Sequence, residues 1–339
     1  MKLNTPRWWY SRNRNHAPIT RMALKPLSWV WAGVTARKIA RTQGYEADIP
    51  VISVGNLTVG GSGKTPIARE ILRLLREEGY SPAALSRGYG GKLEGPVVVD
   101  ASVHSAEDVG DEPLMLARDG LALISRDRVE GAKAAKAAGA SHIVLDDGHQ
   151  NPSLIKTVSL IIVDGETRNG EWPFGDGSVF PSGPMREPLA KGLARADAVI
   201  ILLPTDMEQA DPELVEVFGD LPVFTARLMP DQPPPPGPQV GFAGIAKPWK
   251  VERSLVAAGC DLRDFIPLAD HAKLTPAQYD FIRSRAEVFN AGLVTTEKDW
   301  VRLSPEQRAS IQAWPVNARF DHPRAFTDWL AVMNVIGQT

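Results

Sequence analysis

The stretch Gly55-Asn-Leu-Thr-Val-Gly60-Gly61-Ser62-Gly63-Lys64-Thr65 constrains this chain more than any other. It follows Pro50–Val54, an apolar, partly β-branched run that predicts a buried strand. It leads into Lys64–Glu78, where Ile67, Ile71, Leu74 and Leu75 recur at helical spacing until Gly79 ends the pattern. A strand, a glycine-rich loop, Lys-Thr and a helix together make a phosphate-binding loop. Glycines let backbone N–H groups close around phosphate oxygens, and the helix N-terminus adds a favourable dipole. In this reading Thr58, Val59, Gly60, Gly61, Ser62, Gly63, Lys64 and Thr65 hold a nucleotide. Lys64 reaches the β- and γ-phosphates, and the Thr65 hydroxyl ligates Mg2+. Thr58 stands where the strict pattern has glycine.

Such a loop requires an acid at the end of a neighbouring apolar strand. His142-Ile-Val-Leu-Asp146-Asp147-Gly148 supplies two, so Asp146 and Asp147 are the candidate metal ligands beside Thr65. Further strands are expected at Ala83–Ser86, Val97–Asp100, Ala122–Ser125, Ser159–Asp164 and Ala198–Leu203, with a helix at Arg126–Ala138. This alternation predicts right-handed βαβ units and a mainly parallel sheet. The proline-rich run 230–238 reads as a stiff linker. A second alternation follows: strands Val240–Ala243, Phe265–Leu268 and Gly292–Thr295, and helices Trp249–Ala258, Pro276–Ala286 and Arg324–Val335. The expected organisation is an α/β nucleotide-binding domain over 46–229, the linker, and a smaller α/β domain over 239–339. Arg186, in a stiff loop between Pro184 and Pro188, is suited to pair with either a phosphate or a carboxylate.

Composition narrows the function. A single cysteine, Cys260, excludes a disulfide scaffold and any multi-cysteine metal site. A net charge of −2 argues against a general nucleic-acid binder. That average hides residues 1–45, which carry nine Lys or Arg and no acid, with Trp8, Trp9, Trp29 and Trp31 among them. Cations beside interfacial aromatics predict a segment that associates with an anionic membrane surface. The apolar stretch around Met22–Ala36, interrupted by Lys25 and Pro26, is shorter than the ~20 residues that span a bilayer. A basic arm or a helix docked on the body is the other reading.

The phosphate loop with Pro66, Ser86-Arg87-Gly88-Tyr89-Gly90, Gly110-Asp111-Glu112-Pro113 and Asp146-Asp147-Gly148-His149-Gln150 resemble, in order, the motifs of the tetraacyldisaccharide 4'-kinases. So do Gly183-Pro184-Met185-Arg186-Glu187-Pro188, Asp270-His271 and Thr296-Glu297-Lys298-Asp299. Thr58 belongs to that family pattern, whereas His149 and Asn151 depart from it. The resemblance implies transfer of the ATP γ-phosphate, with Mg2+, to the 4'-hydroxyl of a tetraacylated glucosamine disaccharide 1-phosphate in lipid A biosynthesis. It also implies a catalytic pair, Asp111 and His271, with Lys64 and Arg186 beside it. The expected location is the cytoplasmic face of the inner membrane, peripheral or monotopic, with no nucleic acid and no obligate protein partner. The competing readings are a membrane-docked nucleotide switch, in which the Asp111/His271 pair would be idle, and a carboxylate-activating ligase, which gives no reason for the basic N-terminus.

Overall fold

The computed structural model describes residues 6–13, 15–270 and 274–337. Its strands are β1 Val51–Gly55, β2 Pro82–Ser86, β3 Val97–Val98, β4 Ala122–Ile124, β5 His142–Asp146, β6 Val158–Asp164, β7 Ala198–Leu203, β8 Val223–Pro230, β9 Pro238–Ala243, β10 Asp261–Pro267, β11 Gly292–Thr296, β12 Ile311–Trp314 and β13 Val316–Phe320. Nine form one sheet in the order β13-β8-β7-β6-β1-β5-β2-β4-β3, parallel except at its two edge strands, β13 and β3. The other four form a parallel sheet, β10-β9-β11-β12.

β1 lies between β5 and β6 and is buried along its whole length, which its unbroken Val-Ile-Ser-Val run requires of a central parallel strand. The helix Lys64–Glu77 lays Ile67, Ala68, Ile71, Leu72, Leu74 and Leu75 on the sheet. Full burial of each large aliphatic side chain there contributes about 1.5–3 kcal/mol. This packing sets the phosphate loop at the carboxyl ends of the central strands, where open α/β sheets carry their ligands.

The chain crosses between the two sheets twice, so the smaller unit does not extend over 239–339 as expected. Residues 231–237 lead from β8 to β9 as expected of the linker, but β13 then returns to pair antiparallel with β8. The following helix, Pro323–Val332, buries Phe326 and Leu330 in the core of the larger sheet. The last twenty or so described residues therefore belong with the nucleotide-binding unit. Their signal was the alternation Val316, Ala318, Phe320, whose partner strand β8 is some ninety residues away. The same return buries Glu70, whose spacing places it on the solvent face of its helix. It sits 1% exposed because Arg73 and Arg319 of β13 pair with it at 2.7 and 2.9 Å.

Residues Pro18–Arg41 form one helix, with Pro26 inside it. Its buried side chains are polar, Arg21 and Ser28, while Ile19, Met22, Leu27, Trp29, Val30 and Val34 face outward, each more than half exposed. Among the described residues, no helix is long and apolar enough to cross a membrane.

Candidate active site

Gly63 caps the helix Lys64–Glu77 at φ +81°, and a Cβ there would lie 2.3 Å from Leu202 Cδ2, so only glycine fits. Thr58 takes the first-glycine position because its backbone forms an antiparallel bridge with Met185, a conformation that needs no glycine. Val59 N–H donates to Pro184 O at 2.7 Å, and Arg186 N–H to Leu57 O at 2.8 Å, so the start of the loop is held as a short strand. Buried Asn56 donates to Thr58 O at 2.8 Å and accepts from Lys64 Nζ at 3.3 Å. Burial pushes the Lys64 ammonium below its ordinary range, against the pull of Asp147 3.6 Å away.

The two acids separate by environment. Asp146 ends β5 inside the protein, and Thr65 Oγ1 donates to its Oδ2 at 3.1 Å. Its Oδ1 is buried and has no hydrogen-bond partner among the described residues, and burial pushes the carboxyl up to about 6. A hydroxyl beside a carboxylate with an unused oxygen is a donor set that suits a small hard cation. Asp147 turns outward at φ +56° and accepts from Arg186 Nη1 at 2.7 Å. Its burial would raise the pKa, but Lys64 and Arg186 hold it below the ordinary value. Arg186, expected to meet a phosphate or a carboxylate, thus meets a carboxylate, and it also donates to Thr58 O at 3.0 Å.

Asp111 opens the helix Asp111–Asp119 after Gly110, whose φ is +93°. Across the junction between the sheets, Arg302 donates to Asp111 Oδ2 through Nε at 2.9 Å and Nη2 at 2.5 Å. His271, its expected catalytic partner, lies outside the described residues.

The family model described as tetraacyldisaccharide-1-P 4'-kinase matches residues 20–334. The chain is 62% identical to the tetraacyldisaccharide 4'-kinase of Caulobacter vibrioides over 96% of its own length and 97% of that protein's. It is 44% identical to that of Hyphomonas neptunium, with 97% of each covered. The chain belongs to this family. The fold is also that of an LpxK from Aquifex aeolicus solved in complex with ATP, with a TM-score of 0.71 at 23% identity over 93% of this chain and 99% of that one.

In this kinase the run Glu297-Lys298-Asp299, part of one of the motifs that carry the family resemblance, binds the two sheets together. Glu297 pairs with Arg69 at 2.7 Å and Lys298 with Glu112 at 2.6 Å, while Asp299 holds Arg302 at 2.9 Å. The loop after β9, which sequence reasoning passed over, runs from Asp299 to the phosphate loop. Ala246 lies 3.7 Å from where a Cβ on Gly61 would be, and Lys247 and Lys250 pair with Asp164 at 2.8 and 2.5 Å. Burial would raise the Asp164 pKa, yet these two lysines hold it far below the ordinary carboxylate range. The available signal was a Gly244 turn from an apolar strand into Lys247-Pro248, at the end of a sheet where ligands bind.

The departure from the family pattern at His149 is a packing matter. The ring is buried between Ser159 Oγ at 3.0 Å and Gly192 O at 3.1 Å, and burial pushes its pKa down to about 3. Arg126 pairs with Glu94 at the surface. Arg128 is 3% exposed with its Nε unpartnered among the described residues, and burial beside Arg87 pushes it down to about 10.

Proposed function

We propose that Lys64, Thr65 and Asp146 hold ATP with Mg2+ in this chain, and that Asp111 with His271 takes the proton from the acceptor hydroxyl. The chain is a kinase of lipid A biosynthesis, a tetraacyldisaccharide 4'-kinase, and its acceptor is the 4'-hydroxyl of a tetraacylated disaccharide 1-phosphate. The observation that carries the site reading is the unpartnered, buried Oδ1 of Asp146 beside the Thr65 hydroxyl at the foot of the phosphate loop. When bound there, Mg2+ neutralises charge on the β- and γ-phosphate oxygens.

The protein's own residues supply the rest. Backbone N–H groups of Gly60–Gly63 face the phosphates, and Lys64 places its cation where charge spreads in the transition state. Asp147 holds Arg186 and Lys64 beside the loop rather than binding the metal. Asp111 sits at the junction of the two sheets, where Arg302 fixes its largely buried carboxylate. The unpaired Nε of Arg128 supplies a cation for an anionic group of the acceptor or of ATP.

The outward apolar face of the helix Pro18–Arg41, with Lys25, Arg37, Lys38 and Arg41 along it, supports attachment to the cytosolic face of a membrane, where the lipid acceptor resides. The deciding experiment supplies labelled ATP, Mg2+ and acylated disaccharide 1-phosphate in mixed micelles and follows the label. Label on the lipid at the 4'-position is expected. Lipid-independent release of phosphate alone would favour a nucleotide switch.

A further inference from the structure

We infer that Arg21 is a positioning residue for the phosphate loop, acting through Asp176 and the segment 176–186; the inference rests on the reading of Gly60–Thr65 as the ATP site. Seven residues, two helical turns, separate Arg21 from Ser28, so both lie on one stripe of the helix Pro18–Arg41. That stripe meets the segment 176–186 and the turn at Trp8. Arg21 pairs with Asp176 Oδ1 at 2.5 Å, with both side chains less than a tenth exposed, and donates to His16 O, Trp8 O and Ser182 O at 3.0, 2.6 and 3.4 Å. Ser28 and Ser182 join their hydroxyls at 2.8 Å, and Trp31 Nε1 donates to Arg186 O at 3.0 Å.

The same segment meets the phosphate loop along its other edge. Met185 bridges Thr58, Pro184 O accepts from Val59 N, and Arg186 reaches both Thr58 O and Asp147. Tyr10, from the turn that Arg21 ties down through Trp8 O, adds a hydrogen bond to Val59 O at 3.1 Å. Segment 176–186 therefore has the helix on one side and the first half of the phosphate loop on the other. The turn that starts it is over-determined: Asp176 also accepts from Ser178 N and Oγ, and Gly175, at φ +56°, leaves no room for a Cβ against Trp9 O.

A helix whose outer face is apolar gains no defined rotation from apolar contacts alone, since any face could pack. A buried ion pair on its inner stripe fixes that rotation, because sliding or turning would strand a charge. Fixing the helix in this way fixes the backbone of residues 57–59, the entry to the phosphate cradle. The consequence is a coupling between Arg21 and nucleotide affinity that does not pass through lipid attachment.

The test uses the full chain in neutral-detergent mixed micelles, with ATP KM, kcat and binding of a fluorescent ATP analogue measured alongside sedimentation with anionic vesicles. Arg21→Ala and Asp176→Asn should each weaken ATP affinity by roughly 2- to 30-fold, the range for residues along a packed coupling route. Their double variant should be no worse than the poorer single one, and Arg21→Lys, which keeps the ion pair but not all the carbonyl contacts, should recover part of the affinity. Vesicle binding should be unchanged in all of them, since the apolar face is intact. Trp31→Phe, half-exposed and tolerant, loses only the hydrogen bond to Arg186 O and should raise the ATP KM in the same direction. Unchanged ATP affinity in folded Arg21→Ala, or in both Asp176→Asn and Trp31→Phe if Arg21→Ala does not fold, overturns the inference. Lys64→Ala is the control: normal ATP binding there overturns the site reading itself, whereas loss in Lys64→Ala with none in the Arg21 series overturns this inference alone.

Discussion

Asp111 and Arg302 meet across the junction of the two sheets, with two donors of one guanidinium, Nε and Nη2, aimed at the same carboxylate oxygen at 2.9 and 2.5 Å. Arg302 is fixed in turn by Asp299 Oδ1 at 2.9 Å and Gly244 O at 3.3 Å. The carboxylate proposed to take the acceptor's proton is thus oriented by the opposite unit. Asp111→Ala should lower kcat by the ~10²–10⁴-fold typical of general-base loss. Arg302→Lys keeps a cation but loses the fork, and should lower kcat while leaving ATP KM nearly unchanged. Steady-state kinetics at saturating lipid checks both; a wild-type kcat in Arg302→Lys would separate Arg302 from the chemistry.

Lys64→Ala and Thr65→Ala should abolish phosphoryl transfer and leave the fold intact. Lys64 ends in a mouth formed by Asn56 and Asp147, so its removal opens no large core cavity. Losing its cation removes charge stabilisation from bound ATP and, more strongly, from the transition state. The far-ultraviolet circular dichroism of each variant should match the parent while turnover vanishes. Near-parental turnover of Lys64→Ala at saturating ATP would refute the phosphate-loop assignment.

Asp146 and Asp147 should differ in their magnesium dependence. Asp146 presents a buried, unpartnered oxygen beside Thr65, whereas Asp147 is engaged by Arg186. Asp146→Asn should shift the half-saturating Mg2+ concentration upward by more than tenfold, about 1.4 kcal/mol or more. Asp147→Asn should change it little and act instead on ATP KM. Chelation of the metal should silence the parent. The reverse ranking in a magnesium titration would exchange the two roles.

How far the sequence carried the reading depends on how local each signal was. β1, the phosphate loop and the helix after it are contiguous, and Asp146 ends an apolar run of its own, so each signal is local, as is the glycine that Gly63 at φ +81° demands. β8 and β13 were missed because each is defined by pairing with the other, across ninety residues of chain. Glu70 read as a solvent-facing residue for the same reason: its partner Arg319 arrives on β13. Helical spacing could not show that the N-terminal helix turns Arg21 and Ser28 inward and its apolar residues outward. Ordinary burial logic expects the opposite, and only the polar lining of segment 176–186 explains it.

His149 should make folding stability pH-dependent. Its pKa is about 3 in the folded chain, because burial between Ser159 and Gly192 O disfavours the charged ring, against an ordinary value of 6.5. The unfolded chain therefore binds the extra proton first. The contribution is complete above about pH 6.5 and is lost as pH falls towards 3, with a slope approaching ~1.4 kcal/mol per unit. Urea denaturation of the parent and of His149→Gln between pH 4 and 7 reads it as a difference. The gap between the two curves should narrow as the pH falls; a constant gap would mean that the ring takes up its proton at the same pH in the folded as in the unfolded chain.

The outward face of the N-terminal helix should decide membrane attachment independently of nucleotide binding. Trp29 and Val30 are 67% and 64% exposed, and neither lies on the Arg21–Ser28 stripe that touches segment 176–186. Burying two such side chains in the interface contributes about 1.5–3 kcal/mol each, and each nearby cation about 1 kcal/mol at low salt. Salt screens the second contribution and not the first. The parent should therefore sediment with anionic vesicles at low salt, and raising the salt should weaken binding without abolishing it. Trp29→Glu combined with Val30→Glu removes two of the outward apolar side chains and adds two like charges facing an anionic surface. This variant should sediment less than the parent at every salt concentration. Its ATP affinity should equal the parent's, because the inner stripe and the loop it holds are untouched. Lipid phosphorylation should recover when the acceptor is supplied in detergent micelles, since only delivery to the membrane is lost. If the parent itself never sediments with anionic vesicles at low salt, the outward face serves some other contact and the lipid acceptor reaches the site by another route.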